Sequence, residues 1–501
     1  MELDPALCRQ AMLARDARFD GRFFTAVKST GIYCRPVCPA RPPKHENCVF
    51  MPSAAAAENA GYRPCLRCRP ETAPDSCAWH GTSNTVSRAL ALIEAGALDS
   101  GDVETFAGRL GMGARQLRRL FMLHLGAPPI AVAQTRRVLL AKQLIHETQL
   151  PMTEIAFASG FRSVRRFNET FQALFGRPPA SLRRELIARG DGSSISINLS
   201  YRPPYAWDEL LAFLAFRAIS GVENVSNGAY HRTIEMDGLG GSISVSDDPD
   251  HHRLQATIRF PRLNALSRII ARLKAMFDLA ADPQVIGTAL SADPHLAPLI
   301  ANRPGLRVPG AWDPFELAVR AIIGQQVTVV AATRLMGKIV SAHGALLTSA
   351  QASTGVDRLF PRPEVLATVS LANMPASRST TINAIATRYL GDNCLFERGA
   401  DLAASVRKLC AIRGIGPWTA NYIAMRTMRE PDAFPVGDVG LLRALDDGDG
   451  RPTPSELSDR SEAWRPWRAY AALHLWSSLA DAPTPYAQSR KTRETPCAVT
   501  A

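Results

Sequence analysis

The spacing of hydrophobic residues changes along the chain and divides it into segments. Residues 1–78 show little helical periodicity, whereas residues 82–190 carry apolar side chains at helical spacing. From about 195 to 282, short runs alternate apolar and polar residues around two helical stretches, which predicts an α+β region. Residues 283–480 are predicted to form successive helices separated by Gly and Pro. Because one hydrophobic core stops growing near about 250 to 300 residues, the chain is predicted to form several domains.

The first helical segment contains an internal repeat. The stretch "LFMLHLGAPP", which begins at residue 120, is echoed by "TFQALFGRPP", which begins at residue 170. Each stretch closes a unit in which a short apolar helix, a turn containing Gly and a helix with one polar face follow one another. This order is typical of a helix-turn-helix, so the segment is predicted to hold two such units in tandem.

Composition and charge narrow the range of functions. The apolar runs are interrupted well before the roughly 18 residues that a membrane span needs, and the first thirty residues lack the apolar core of a signal peptide. The sequence therefore predicts a cytoplasmic protein without a membrane segment. The net charge is +12, and most of the excess lies in the first 190 residues. Such asymmetry favours a polyanionic partner that binds mainly through the first third of the chain.

Four of the ten cysteines form two close pairs. Three residues separate Cys34 from Cys38, and two residues separate Cys65 from Cys68. Disulfides are not expected in a reducing compartment, whereas two close thiol pairs suit tetrahedral coordination of one zinc ion. From spacing alone, a purely structural zinc site is the favoured interpretation, because closed four-cysteine sites are usually structural.

The residues around these cysteines carry a further signal. The stretches "TGIYCRPVCPAR" and "GYRPCLRCRP" resemble the N-terminal domain of Ada-type adaptive-response proteins, in which a zinc-bound cysteine irreversibly accepts a methyl group from a methyl phosphotriester in DNA. The resemblance implies that Cys34 is the methyl acceptor and that Cys38, Cys65 and Cys68 are the remaining ligands. Zinc keeps a ligating cysteine deprotonated, so a thiolate is available as the nucleophile.

Methylation would also change the charge of this cluster. Four thiolates around Zn²⁺ leave two negative charges, and methylation of one thiolate removes one of them. Less negative charge beside a phosphate backbone strengthens DNA binding, so the damage would act as its own signal. Arg35 and Arg67, which lie beside the ligands, are predicted to contact phosphate.

The tandem helix-turn-helix units resemble the DNA-binding domain of AraC-type regulators. The closest agreement is in "GFRSVRRFNETFQALFGRPP". In that family two recognition helices enter successive major grooves of double-stranded DNA, and a monomer can bind an asymmetric site. An activator of this kind would also contact RNA polymerase. The resemblance places the following residues near bases or phosphates: Arg115, Gln116, Arg118 or Arg119, Ser163, Arg165 and Arg166.

The second half of the chain contains a glycine hairpin between two helical patterns. In "LCAIRGIGPWTANYIAM", Gly414, Ile415 and Gly416 can offer backbone N–H groups to a DNA phosphate. Together with "DAFPVGDVGL" and "RPGLRVPGAWDPFELAVRAIIGQQV", the hairpin resembles the helix-hairpin-helix DNA glycosylases, specifically the AlkA-type 3-methyladenine glycosylase II. The resemblance runs from about residue 196 to about 480, and it also implies a monovalent cation at the hairpin.

The glycosylase resemblance assigns roles to individual residues. Asp438 matches the catalytic aspartate, which would stabilise the positive charge that develops on the sugar as the base leaves. Trp418 and Tyr422, four residues apart and so on one helix face, are predicted to stack on an alkylated base. Trp418 also occupies the position of the nucleophilic lysine of bifunctional relatives, so the resemblance implies an enzyme without lyase activity. Gln326 stands where the family's wedge residue is expected to be leucine, which departs from the pattern.

These resemblances combine into one predicted organisation, mostly α with α+β parts. The predicted segments are a zinc methyl-acceptor domain at 1–78, a tandem helix-turn-helix at 82–190, an α+β glycosylase N-domain at 194–282, a helix-hairpin-helix glycosylase domain at 283–485 and a disordered tail at 486–501. The predicted function combines a methyl-accepting sensor, a transcriptional regulator and a monofunctional glycosylase for alkylated bases. Two alternatives stay open: a regulator whose glycosylase half is catalytically weak, and a glycosylase whose zinc module is only structural.

Overall fold

The computed structural model describes most of the chain as a multidomain protein. The described residues are 3–74, 83–183, 194–348, 351–392, 394–397, 401–446 and 450–479. The predicted disordered tail lies outside them. Within the described ranges, no helix combines the length and the apolar character that crossing a membrane requires.

The N-terminal domain is a small four-stranded sheet with two helices. Its elements are α1 (Pro5–Ala14), β1 (Phe24–Val27), β2 (Ile32–Cys34), β3 (Cys48–Met51), α2 (Ala54–Asn59) and β4 (Arg63–Pro64). The strand order is β3-β1-β2-β4, in which β2 and β4 are parallel and the other pairs antiparallel. The parallel pair brings the chain after β4 beside the chain after β2, although about thirty residues separate them.

Seven helices follow, and they include the two helix-turn-helix units that the internal repeat predicts. They are α3 (Ser83–Glu94), α4 (Ala97–Ser100), α5 (Val103–Arg109), α6 (Ala114–Leu125), α7 (Pro129–Glu147), α8 (Met152–Ala158) and α9 (Val164–Phe175). The pairs α5–α6 and α8–α9 form the two helix-turn-helix units, and α7 connects them. Both second helices end at a glycine with positive φ, Gly126 and Gly176, which are the glycines of the two echoed stretches.

The α+β region is an antiparallel sheet flanked by helices. Its elements are β5 (Ile195–Ser200), α10 (Trp207–Phe216), β6 (Glu223–Ser226), β7 (Ala229–Met236), β8 (Leu239–Asp248), β9 (Arg253–Arg259) and α11 (Leu266–Met276), with strand order β5-β9-β8-β7-β6. The core of this sheet is continuous with the core of the second helix-turn-helix unit: Phe167 and Phe171 belong to the same buried cluster as Ile197 and Ile258. The first unit has a separate core around Phe106 and Phe121.

The remainder is helical. Its elements are α12 (Pro283–Leu290), α13 (Leu296–Asn302), α14 (Pro314–Ile323), α15 (Val329–His343), α16 (Pro363–Leu366), α17 (Ala376–Gly391), α18 (Leu402–Cys410), α19 (Pro417–Ile423), α20 (Val439–Ala444), α21 (Pro454–Ser461) and α22 (Arg468–Ser478). Most of these helices surround one large apolar core. The predicted multidomain, mostly helical fold with α+β parts is confirmed.

A buried ion pair fixes the N-terminal domain on α7. The Lys142 Nζ donates to Glu71 Oε2 at 2.7 Å and to the Cys65 carbonyl at 3.1 Å, and both charged side chains are fully buried. Nearby, Arg69 reaches Glu147, the last residue of α7, at 2.9 Å. A buried charge that loses its partner is strongly destabilising, so these contacts hold the domain in one position.

We expect the Lys142→Met substitution to lower the free energy of unfolding by about 3 kcal/mol, because it leaves the Glu71 carboxylate buried with less compensation. Urea unfolding, followed by tryptophan fluorescence and by zinc release, measures the change. Lys44→Met is the matched control: Lys44 makes only an exposed, 3.9 Å pair with Glu46, so no measurable change is expected. Equal destabilisation by the two substitutions would contradict the role given to Lys142.

Candidate functional site

The four paired cysteines converge on one point of the N-terminal domain. Cys34 ends β2, and Cys65 follows β4, where its N–H donates to the Tyr33 carbonyl at 3.0 Å. The ligand atoms of Cys34, Cys38, Cys65 and Cys68 all lie within 4.8 Å of one another. Zn–S bonds of about 2.3 Å in a tetrahedron place sulfurs about 3.8 Å apart, so this cluster has the size of a zinc site.

The four cysteines of the cluster are not equally exposed. Cys65 and Cys68 are buried, whereas Cys34 and Cys38 are partly exposed. Backbone N–H groups support the buried pair: the Arg67 N–H donates to the Cys65 Sγ and the Arg35 N–H to the Cys68 Sγ, each at 3.3 Å. The cluster is a zinc site whose outward side is formed by Cys34 and Cys38.

The two arginines beside the ligands have different environments. Arg67 is exposed, as a contact to DNA phosphate requires. Arg35 is instead mostly buried: its Nε donates to Asp20 Oδ1 at 2.9 Å and its Nη1 to the Cys68 carbonyl at 3.1 Å. The prediction of a phosphate contact for Arg35 is therefore corrected, because Asp20 already neutralises this guanidinium inside the domain.

The predicted recognition helices expose the predicted polar residues. On α6, Arg115, Gln116, Arg118 and Arg119 are exposed, whereas the intervening apolar residues are buried. On α9, Arg165 and Arg166 are exposed, and Arg165 forms a 2.7 Å pair with Glu169 one turn away. The Ser163 hydroxyl caps α9 by accepting from the Arg166 N–H at 3.2 Å, so its local role is structural. Base contacts by these residues stay predictions.

At the glycine hairpin, the backbone packs closely against a neighbouring side chain. Gly414 has φ +93°, and a Cβ there would lie 2.1 Å from the Thr381 hydroxyl, so no other residue fits. Gly416 precedes α19 and is exposed. Ile415 does not match its predicted role: its side chain is buried and its N–H donates to the Ile412 carbonyl at 3.0 Å. Ile415 therefore holds the hairpin on the core, and any phosphate contact falls to its two glycine neighbours.

The predicted catalytic and stacking residues meet in one cavity of about 460 Å³. The rings of Trp418 and Tyr422 are stacked, with centroids 5.4 Å apart and planes 7° apart. The Asp438 Oδ2 accepts from the Trp418 indole N–H at 2.8 Å. Its Oδ1 accepts from the Trp476 indole N–H at 2.9 Å and from the Leu441 N–H at 2.9 Å. The carboxylate is thus held by two indoles while it also caps α20.

Sequence reasoning missed Trp476 as a pocket residue. The sequence shows only that α22 is rich in aromatic residues, and the packing of α22 against α20 selects this one. Three other aromatic side chains near the start of α22 are fully or almost fully buried and belong to the core: Trp464, Trp467 and Tyr470.

Two arginines shape the electrostatics of the cavity. The Arg426 Nη1 donates to the Tyr422 hydroxyl oxygen at 2.6 Å, and Arg217 also lines the cavity. Burial raises the pKa of Tyr422, but the positive charges of Arg426 and Arg217 outweigh this and hold the pKa below its usual value. Sequence reasoning missed both arginines, although Arg426 lies only four residues after Tyr422; Arg217 reaches the cavity from a distant part of the chain.

The loop before α15 forms part of the cavity rim. Gln326 is exposed and has φ +57°, so it lies at a tight reversal of the chain. The preceding Gln325 donates its Nε2 to the Gly414 carbonyl and to the Thr419 hydroxyl, each at 3.0 Å, and so connects the loop to the hairpin. Val327 lines the cavity. A wedge role for Gln326 stays a prediction.

Three protein-family models match the chain in the predicted order. The metal binding domain of Ada matches residues 7–71, a helix-turn-helix domain matches residues 106–185, and the AlkA N-terminal domain matches residues 196–313. Among solved structures, a 3-methyladenine DNA glycosylase from Archaeoglobus fulgidus aligns with a TM-score of 0.50 at 19% identity, over 56% of this chain and 96% of that chain. This likeness shows the fold of the second half.

Some similar proteins align with about half of this chain, and others align with nearly all of it. The DNA-3-methyladenine glycosylase 2 of Escherichia coli (strain K12) is 32% identical over 56% of this chain and 95% of its own length. The probable bifunctional transcriptional activator/DNA repair enzyme AlkA of Mycobacterium tuberculosis (strain ATCC 25618 / H37Rv) is 39% identical over 94% of this chain and 96% of its own length. The chain therefore belongs to the family of bifunctional transcriptional activator/DNA repair enzymes of the AlkA type.

Proposed function

We propose that the protein senses alkylation damage in DNA, regulates transcription in response and excises alkylated bases such as 3-methyladenine. The observation that carries this proposal is the position of Asp438, held by two indole N–H groups in an aromatic cavity. The same chain carries a zinc cluster with a partly exposed side and two exposed recognition helices. Sensing, regulation and repair therefore have separate sites in one molecule.

Cys34 is the methyl acceptor in this proposal. Burial makes Cys65 and Cys68 poor candidates, which leaves the partly exposed Cys34 and Cys38, and the resemblance of "TGIYCRPVCPAR" to Ada-type domains favours Cys34. The Cys34 thiolate attacks the methyl carbon of a phosphotriester, the S–C bond forms as the C–O bond breaks, and the phosphodiester anion leaves. Zinc, when bound, keeps the sulfur deprotonated for this step. Exposed Arg67 supports the approach of the phosphate backbone.

Regulation follows from the change in charge. Transfer of a methyl group removes one negative charge from the cluster, which lowers its repulsion of the DNA backbone. The exposed residues of α6 and α9 would then occupy successive major grooves of a promoter. We further propose that the protein acts as a monomer in the cytoplasm and that, as an activator, it contacts RNA polymerase.

Base excision requires the damaged nucleotide to leave the helical stack and enter the cavity. There the base would stack on Trp418 and Tyr422, and the Asp438 carboxylate would stabilise the positive charge that develops on the sugar while water adds. The position of a lyase nucleophile is occupied by Trp418, whose indole has no amine to form a Schiff base. The enzyme would therefore release free base and leave an intact strand with an abasic site.

We expect the Asp438→Asn substitution to slow base release from methylated duplex DNA by at least about 100-fold, because a charge-stabilising group is lost. Asn also caps helices well, so α20 should be retained. Single-turnover release of methylated purines, measured by chromatography, tests this, with the exposed Asp446→Asn as the control that keeps full activity. Background release by the wild type and by both variants would favour the alternative of a regulator with an inactive glycosylase half.

Incubation with methyl-phosphotriester DNA should add one methyl group to the peptide that contains Cys34, because Cys34 is partly exposed and bound zinc would keep its sulfur deprotonated. Peptide mass spectrometry of the zinc-loaded protein measures the transfer. Cys34→Ser should abolish it, whereas Cys48→Ser, at a partly exposed cysteine outside the cluster, should leave it unchanged. Methyl groups on Cys38, or on neither residue, would contradict the assignment and favour a purely structural zinc module.

The absence of a lyase amine predicts a specific pattern of products. With DNA that contains an abasic site, borohydride should trap no covalent adduct, and the strand should stay intact until alkali is added. A denaturing gel resolves both outcomes. An adduct trapped with the wild type would reveal an amine near the cavity and refute the monofunctional mechanism.

A further inference from the structure

A buried arginine holds one wall of the base cavity. Arg426 donates three hydrogen bonds: from Nη1 to the Tyr422 hydroxyl oxygen at 2.6 Å, from Nε to the Pro309 carbonyl at 2.6 Å and from Nη2 to the Gly310 carbonyl at 3.2 Å. The position of Tyr422 therefore depends on the segment that contains Pro309 and Gly310.

A second buried arginine begins this segment. Arg307, which is 1% exposed, donates from Nη1 to the Ala281 carbonyl at 2.8 Å and from Nη2 to the Arg202 carbonyl at 2.6 Å. Arg202, also 1% exposed, donates from Nε to the Asp20 carbonyl at 3.1 Å and from Nη1 to the Ala280 carbonyl at 3.1 Å. Asp20 belongs to the zinc domain, so these two arginines connect the cavity wall to that domain.

The connection continues to the cysteine cluster. The Asp20 carboxylate is paired with Arg35, the residue after Cys34. Arg35 in turn donates its backbone N–H to the Cys68 Sγ at 3.3 Å and its Nη1 to the Cys68 carbonyl at 3.1 Å. A series of hydrogen bonds, joined by the short segment from Arg307 to Gly310, thus runs from the zinc ligands through Asp20 and four arginines to Tyr422.

We propose that Arg426 is a positioning residue of the base cavity and that Arg307, Arg202 and Asp20 connect it to the cysteine cluster, so that the state of the zinc site sets the rate of base release. Buried guanidinium groups cannot lose partners without a large cost, so a shift of Arg35 is passed on rather than absorbed locally. This inference rests on the proposed glycosylase function. It predicts a coupling free energy between two sites in one chain.

The test is a double cycle on the full-length protein that combines zinc removal by a chelator with the Arg202→Gln substitution. Zinc removal should slow single-turnover base release about five-fold in the wild type and less than about two-fold in Arg202→Gln, where the connection is already broken. Arg426→Gln should likewise lose the dependence on zinc. Hydrogen exchange of the backbone around Gly310 and Tyr422 gives a second readout, which should rise on zinc removal in the wild type only.

Arg109→Gln is the control. The Arg109 Nη2 contacts Glu397 Oε1 at 2.6 Å and so joins the helix-turn-helix segment to the glycosylase half, away from the series of contacts. This variant should keep the five-fold zinc dependence of the wild type. If Arg202→Gln does not fold, Asp20→Asn breaks the pair with Arg35 inside the zinc domain and should give the same loss of zinc dependence.

The outcomes separate this inference from the proposed function. Base release by the zinc-loaded wild type that is unaffected by zinc removal would overturn the coupling and leave the glycosylase assignment intact. Equal zinc dependence in the wild type, Arg202→Gln and Asp20→Asn would also overturn it. No base release by any form would refute the glycosylase function itself.

Discussion

The burial of Lys142 against Glu71 is the constraint on which the arrangement of the domains depends. Both side chains are withdrawn from solvent, and the ammonium also binds the carbonyl of the zinc ligand Cys65. At the end of the same helix, the Glu147 carboxylate accepts from the Asn198 N–H of the glycosylase half at 2.9 Å. One helix between two DNA-reading units thus contacts both the sensor and the repair half. A buried charge that loses its partner is strongly destabilising, so the zinc domain cannot move relative to α7 without a large energetic cost.

Asp438 shows that a structural and a chemical role can coincide. An aspartate after a glycine is most simply a helix cap, and its Oδ1 does cap α20. The same carboxylate accepts from two indole N–H groups that point into an aromatic cavity. Capping of α20 uses only Oδ1, whereas the two indole N–H groups donate to both carboxylate oxygens. The carboxylate is therefore held in one orientation in the cavity.

Local sequence was sufficient where a pattern of neighbours decides the structure. Cysteine spacing predicted the metal cluster, and alternation in "HRTIEM" and "RLQATIRF" predicted β7 and β9. Local sequence was insufficient where residues distant in the chain decide whether a side chain is exposed. Asp20 pairs with Arg35 and keeps it mostly buried, and Ile415 packs into the apolar core. Local sequence was also insufficient to predict the core that Phe167 shares with Ile258. Hydrophobic periodicity shows that one face of an element is apolar, but it does not show which other element that face packs against.

The zinc cluster has two sides, and this asymmetry explains how one site can serve two halves of the chain. Cys34 and Cys38 are partly exposed, whereas Cys65 and Cys68 are buried and their backbone carbonyls accept from Lys142 and Arg35. Methylation of a partly exposed cysteine would change the electrostatic potential at the two buried cysteines, because all four sulfurs lie within 4.8 Å of one another. Lys142 belongs to the DNA-reading domain, while Arg35 leads through buried groups toward the base cavity. In the proposed coupling, the buried side is the point from which both regulation and repair would respond to the same methylation event.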